Sequence, residues 1–447
     1  MSDAIANSKL EEQAVSLVEA AKAAGADAAD AIAVTGMSLS VSVREGKVEN
    51  TDRAEGNDVT LRVFVGKQVA SISSNASDDP AELAARAVEM AKVTPEDPYA
   101  GLAEPERLLK EIPQLDLIDP REVSPEELTK TALDAEAAAL AVEGVSKSGG
   151  AGASWGLSGI VLATSHGFVG AYQRSRSGFS MTAIAGEGTG MERDYEFDSR
   201  TYWDDLMSAE EVGRIAAERT VRRLNPRQLE TRKAPVVYEP RTARSLLGHF
   251  AGAINGASIA RGTSFLKDKM GQQVFGKGIT ISDDPFKARG GGTAPFDAEG
   301  TGAEYLNMIE DGILGHWFLD GYAARELGLT SNGRARRSGS STSPGATNLT
   351  LQAGEKTPEE ILRDIGEGLL VTDLIGHGAN GVTGDYSRGA SGYWVENGEI
   401  AYPVSEITIA GNLKDMFLNL TPASDLDERY AVATPTVVIE GLTIAGS

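Results

Sequence analysis

The sequence predicts an α+β protein in two parts: a mixed α/β N-terminal domain over residues 1–228, then a β-rich, barrel-like antiparallel C-terminal domain over 229–447. Three observations predict it. At 447 residues the chain is about three times a usual domain length, enough for more than one core. Helix-start patterns of the S-x-x-E kind cluster before Asn225-Pro226. After that break come short, Gly-punctuated β-like stretches such as QQVFGKGITISDD and TPTVVIEGLTIAG.

Taken in order, Leu10, Ala14, Leu17, Val18 and Ala21 recur at helical spacing and stop before Gly25, which predicts an opening helix. Residues 31–74 then alternate in short stretches, as in SLSVSVREGKVEN and DVTLRVFVGKQVASISS. Glu45-Gly46 and Gly66-Lys67 stand at the reversals, so antiparallel hairpins are expected. Asp79-Pro80 puts a short acid at an N-cap and a proline in the first turn, starting a helix through Met90. A Pro-rich connection covers 94–120. Ser124 with Glu127, and Ser208 with Glu211, open two further helices that end near Val142 and Leu224. The second half carries one helix from Thr242 to about Ile259. Its many glycines permit the bends and close backbone approaches of a large sheet or partly closed barrel.

Composition excludes several classes of function. A formal net charge of −23 repels a phosphate backbone, so no nucleic-acid partner is expected. The two basic clusters read as a helix end (Arg222, Arg223, Arg227, Arg232, Lys233) and a solvated loop (Arg334, Arg336, Arg337). With no cysteine there is no disulfide framework, thiolate metal cage or cysteine nucleophile. No apolar run is long enough to cross a bilayer, and the N-terminus lacks the pattern of a secretory signal, so a cytoplasmic chain with no membrane role is expected.

Chemical motifs are sparse. Gly152-Ala153-Ser154-Trp155-Gly156 fits the G-x-S-x-G spelling of a nucleophile elbow, but strand-like sequence follows where a helix is required. The stretch from Gly376 to Gly381 spells G-x-G-x-x-G, yet the residues after it cannot open the helix that would hold a pyrophosphate. Four histidines exist, and no two sit at the spacing of a helical metal pair. A zinc site would have to converge from His249, His316 and His377 with an acid such as Asp373.

Several segments of the second half, in order, are RGTSFLKDKMGQQV (261–274), ISDDP (281–285), PFDAEG (295–300), PGATNL (344–349), GLLVTDLIGHGANGVTGDYSRGASGYWVENGEI (368–400) and PVSEITIAGNLKDM (403–416). Together they resemble the PmbA/TldD proteins, once called modulators of DNA gyrase. The likeness extends more faintly through EGKVEN and the DDPAELAARAVEMAK helix. In that family the TldD half resembles a metallopeptidase with an H-E-x-x-x-H helix shortly before R-G-T-S. Two histidines there bind the metal, and the glutamate serves as base. Counting back from Arg261, the six positions fall on Leu247, Gly248, His249, Phe250, Ala251 and Gly252, so neither ligand position nor the base position can do that work.

The resemblance therefore points to the PmbA/TldE half. It implies a non-catalytic subunit with no catalytic or metal residue of its own, paired with a TldD-like catalytic subunit that carries zinc or another divalent metal. Substrates would be flexible peptides, and a homodimer could form without the partner. Gly381, Gly384, Asp385, Tyr386 and Arg388 are the candidate substrate or partner contacts, because glycines allow close backbone approach and the three side chains offer polar anchors. Two other readings remain open at this point: a stand-alone peptide-binding or assembly protein, and a self-sufficient metal-dependent hydrolase using the distant histidines.

Overall fold

A computed structural model describes residues 7–339 and 341–446; the first six residues, read above for a leader, lie outside them. The first half is one antiparallel sheet of six strands: β1 (Ala28–Arg44), β2 (Lys47–Val65), β3 (Gln68–Asn75), β4 (Val145–Thr164), β5 (Val169–Ala185) and β6 (Glu192–Arg200). Their order across the sheet is β3-β2-β1-β4-β5-β6.

The strands are long rather than short: β1 runs 17 residues, β2 19 and β4 20. The reason lies in an unbroken period of two. Ala29, Ala31, Ala33, Val41 and Val43 all fall on one face, so nothing in the pattern ends the strand midway. Helices α1 (Asn7–Ala23) and α2 (Pro80–Lys92) cover the near half of that face, with Leu17 and Ala87 against Ala31 and Leu61. Helices α3 (Pro125–Leu140) and α4 (Ala209–Arg222) cover the far half, with Leu128 and Val212 against Val43 and Met181. A Cβ at Gly213 of α4 would fall 2.1 Å from the Ala135 carbonyl, so only glycine permits this α3–α4 approach. Buried Glu136 of α3 accepts from the Glu45 and Gly46 amides at 2.8 and 2.7 Å, tying the β1–β2 turn to the helix layer.

The second half opens with β7 (Arg232–Tyr238) and α5 (Pro240–Ala253), followed by α6 (Gly256–Ala260). The single helix expected over this stretch is thus two. Ile254 caps the end of α5, and the Asn255 side chain accepts from the Ala257 and Ser258 amides to start α6.

Strands β8 (Ile281–Asp283), β9 (Leu306–Glu310) and β10 (Ile313–Leu314) join β13 (Leu349–Leu351) and β18 (Val432–Ala433) in one small sheet. Between them lie α7 (Gly321–Leu327) and the hairpin of β11 (Ala335–Ser338) with β12 (Ser341–Pro344). After α8 (Pro358–Ile365) come β14 (Gly368–Ile375), β15 (Asp385–Glu396) and β16 (Glu399–Asn412), then α9 (Leu413–Leu418), β17 (Leu420–Pro422) and β19 (Val437–Ala445).

Strands β7, β14, β15, β16 and β19 close into a five-strand barrel, since β16 pairs with both β15 and β19. Four of its joints are antiparallel, and β7–β14 is parallel, because the chain leaves β7 through α5 and returns much later in the same direction. Val236, Phe250, Trp394, Ile409 and Ile439 belong to the core that α5 and the barrel share.

The basic trio read as a solvated loop is instead buried or half-buried. Arg334 is fully buried and binds Asp283 at 2.8 Å, Arg337 reaches Asp30 on β1, and Arg336 donates to the Ala346 carbonyl. These side chains, with Phe296 edge-on against Phe168 and Tyr172, join the barrel unit to the helix-free face of the six-stranded sheet.

Candidate functional site

Helix α5 carries the six positions, Leu247 to Gly252, on which the H-E-x-x-x-H motif falls by the resemblance, and it is built for packing. Pro240 sits in its first turn, and Thr242 anchors it by donating from Oγ1 to the Val371 carbonyl of β14 at 3.1 Å. Ala243, Leu246, Leu247, Phe250 and Ala253 point into the core. Leu247, at the first ligand position, is 4% exposed among Phe275, Ile281 and Phe417. Gly248 and Gly252, at the base and second ligand positions, lie on the outer face, where an added Cβ would meet nothing within 4 Å. The helix thus shows bare backbone to solvent where a histidine and a glutamate would stand, and these residues do not fit a metal.

Of the expected zinc set, His249 and His377 come near each other, but His316 and Asp373 do not join them. Among the described residues no group of three or more His, Asp or Glu side chains is arranged to hold a metal ion. Asp373 faces Arg223 at 3.6 Å, and His316 lies by Arg334.

Beside the bare face sits a cluster the sequence did not bring together. Tyr238 ends β7, Tyr386 begins β15, and both are buried in the barrel. The His249 ring meets Tyr386 edge-on at 6.0 Å. Tyr238 Oη, Tyr386 Oη, His249 Nε2 and Arg388 Nε are all buried and lack a hydrogen bond of good geometry. Burial, with Tyr386 next to it, pushes the Tyr238 hydroxyl well up. Burial and the nearby Arg388 and His377 lower the His249 pKa, so its imidazole is neutral at neutral pH. Tyr238 and His249 lie on different elements, so no local spacing pairs them; the inward-facing tyrosine of VVYEP, just before α5, is the signal the sequence carries.

The glycine-rich segment is the β14–β15 loop. The Gly376 motif follows a strand but leads into β15, as its sequence implied. Gly381 and Asp385 are exposed and Gly384 is buried; Arg388 is half-buried, and Tyr386 is 2% exposed. The Gly381 carbonyl accepts from Phe265 N at 2.9 Å, and Gly384 has a φ of 85°. Thr383 and Asn412 donate to the Asp385 carboxylate, which holds it below its usual range. Ile375 at the end of β14 and Val382 in the loop are 68% and 56% exposed. The Gly152–Gly156 motif lies in the middle of β4, far from any strand-to-helix turn.

Two features of the first unit face outward. Strand β3 pairs with β2 only from Asp58 onward, and Ala76 N donates to the Asn57 carbonyl, so the outer edge of β2 from Lys47 to Gly56 is unpaired among the described residues and exposed. On the helix-free face, Ser40, Ser42, Ser154, Ser180 and Ser199 line an open trough of about 500 Å³.

A six-stranded sheet roofed by helices on one face is joined to a closed five-strand barrel whose leading helix shows bare glycine at Gly248 and Gly252. Sequence profiles of the PmbA/TldA metallopeptidase family match domain 1 at 29–91, the central domain at 118–224 and the C-terminal domain at 231–446. Metalloprotease PmbA of Escherichia coli O157:H7 is 39% identical over 99% of this chain and 97% of its own length. A crystal structure from Bacteroides thetaiotaomicron, described as a modulator of DNA gyrase, superposes with a TM-score of 0.91 at 25% identity, covering 98% of this chain and 99% of that one. TldE from Thermococcus kodakarensis shares the fold, with a TM-score of 0.85 at 21% identity over 97% of this chain and all of its own. The chain belongs to the PmbA/TldD metallopeptidase family.

Proposed function

We propose that this chain is the metal-free subunit of a two-chain cytoplasmic peptidase that acts on flexible peptides. A TldD-like partner supplies the zinc or other divalent metal, and this chain shapes the chamber and holds substrate. The observation that carries the reading is α5: the ligand and base positions are Leu247, Gly252 and Gly248, one packed in the core and two bare.

Substrate holding has two supports. The unpaired β2 edge from Lys47 to Gly56 offers backbone donors and acceptors to an extended chain, a mode that tolerates many side chains and rejects folded proteins. The β14–β15 loop, with Gly381, Gly384, Asp385, Tyr386 and Arg388 and the exposed Val382, lies beside the bare helix face and supplies the substrate or partner contact. Mixing this chain with a TldD-like subunit tests the reading. The mixture should cleave an unstructured peptide and spare the same sequence inside a folded domain. Equal cleavage of both, or none by the mixture, would remove the proposal.

A further inference from the structure

At the joint of the two units lies a cleft of about 540 Å³ between β5, β6 and the loops around Lys287 and Glu428. Its wall carries six cationic side chains against three carboxylates, in a chain whose net charge is −23. The three carboxylates are occupied. Arg289 takes Asp205 at 3.0 Å, Arg429 takes Asp427 at 2.8 Å, and Lys287 faces Glu428 at 3.7 Å. Arg200 binds Asp198 behind the wall at 3.0 Å.

Arg174 and Arg176 are left over, and among the described residues neither forms an ion pair. Arg174 Nη2 donates to the Gly291 carbonyl at 2.9 Å, and Arg176 Nε to Ser199 Oγ at 2.8 Å. Two residues apart on β5, they share a face, with about 7 Å of strand between them. Behind them Arg336 spends its Nε and Nη2 on the carbonyls of Ala346 and Gly292 and adds a third charge without a carboxylate. Burial and the Arg174 charge both push the Arg176 pKa down, the mark of a cation short of a counter-charge.

The floor is fixed before any ligand arrives. Thr201 donates to the Arg289 carbonyl at 3.0 Å, and the Arg289 guanidinium lies 3.6 Å from the Tyr202 ring centroid. A Cβ at Gly291 would lie 3.7 Å from Arg176 Nη1, which places the Gly291 backbone directly beside that guanidinium. Neighbouring guanidiniums, each positioned by a hydrogen bond and lacking an anion, recognise a planar oxyanion in two-point fashion. The acidic rim and the field of the whole chain oppose a multiply charged phosphate more strongly than a single carboxylate.

We propose that Arg174 and Arg176 clamp a carboxylate in this cleft, and that the ligand is the C-terminal carboxylate of a flexible peptide. The peptide part rests on the substrate-holding reading above. Ser199 lines both this cleft and the serine trough, so an extended chain lying in the trough ends at the clamp.

The test uses the full chain, an unstructured labelled decapeptide without Asp or Glu as free acid and as C-terminal amide, and titration with succinate and with inorganic phosphate. The free acid should bind at least about tenfold more tightly than the amide, a difference of ~1.4 kcal/mol. Succinate should bind and compete. R174Q/R176Q should abolish both effects with an unchanged circular dichroism spectrum, and the milder R176Q, at an exposed position, should weaken them several-fold. Equal binding of acid and amide together with no succinate binding would overturn the clamp, and phosphate binding more tightly than succinate would overturn its carboxylate assignment. Succinate binding lost in R174Q/R176Q, with neither peptide bound by the parent chain, would keep the clamp and refute the peptide-holding role.

Discussion

Arg337 on β11 donates from Nη1 to Asp30 on β1 at 2.9 Å, across 307 residues of sequence. The same carboxylate takes the Arg62 guanidinium of β2, so one buried acid holds two buried cations at the seam of the two units. Burial pushes the Asp30 carboxyl up, but Arg62 and Arg337 outweigh it and hold it below its usual range. A depressed acid contributes stability that is present above its unfolded value and lost as pH falls through its folded one. Asp30→Ala would strand both guanidiniums and should cost about 3–5 kcal/mol in urea unfolding. Adding Arg337→Gln should cost less than the sum of the two changes. Strict additivity would mean the three groups do not act as a unit.

Glu299 should give the seam the opposite pH dependence. It is 4% exposed; burial first, then Asp297 and Asp320, push its carboxyl up to about 8, while it accepts from Gly321 N at 2.7 Å. A raised acid contributes stability that is full below its unfolded value and lost as pH rises through its folded one. From the usual carboxylate range to about pH 8 this site should therefore cost up to ~1.4 kcal/mol per pH unit. Glu299→Gln should remove that slope relative to the parent chain. Parallel stability curves for the two proteins would show that Glu299 is ionised in the fold.

The two loop glycines should behave differently when replaced. Gly384 has a φ of 85°, and a Cβ there would fall 2.9 Å from Asn412 Oδ1, so Gly384→Val should destabilise by about 1–3 kcal/mol. Gly381 meets only ordinary contact, with Thr263 O at 3.7 Å. Gly381→Val should fold normally while slowing peptide turnover by the mixed subunits about tenfold, equivalent to ~1.4 kcal/mol. Unchanged turnover would remove the loop from the functional surface.

Tyr386 carries a hydroxyl that is buried without a good partner. Tyr386→Phe should leave stability unchanged or raise it by up to about 1 kcal/mol, since it removes a desolvated group and keeps the ring against His249. A loss of similar size in thermal unfolding would show that the hydroxyl is satisfied in solution.

Legibility from sequence followed the range of the interactions. Asp79, Ser124 and Ser208 announced helix starts because an N-cap bonds within three residues, and the structure has those bonds. The split at Asn255 escaped notice because apolar residues continue through it. Arg334, Arg336 and Arg337 looked solvated because their partners are distant: Asp283 lies 51 residues from Arg334, and Asp30 lies 307 from Arg337. Leu247, Gly248 and Gly252 were identified by counting along the chain, but only the fold shows that one is packed and two are bare. The Tyr238–His249–Tyr386–Arg388 cluster comes from three elements joined by barrel closure, which no local pattern encodes.

The proposed role requires that this chain hold no catalytic metal and depend on a partner that does. The direct measurement is metal content and peptide turnover for the purified chain, for a TldD-like subunit and for their mixture, repeated with the glutamate of the partner's H-E-x-x-x-H helix changed to glutamine. No stoichiometric metal and no turnover are expected for this chain alone, turnover in the mixture, and its loss with the partner's glutamate. Tightly bound metal with chelator-sensitive cleavage by the isolated chain would contradict it.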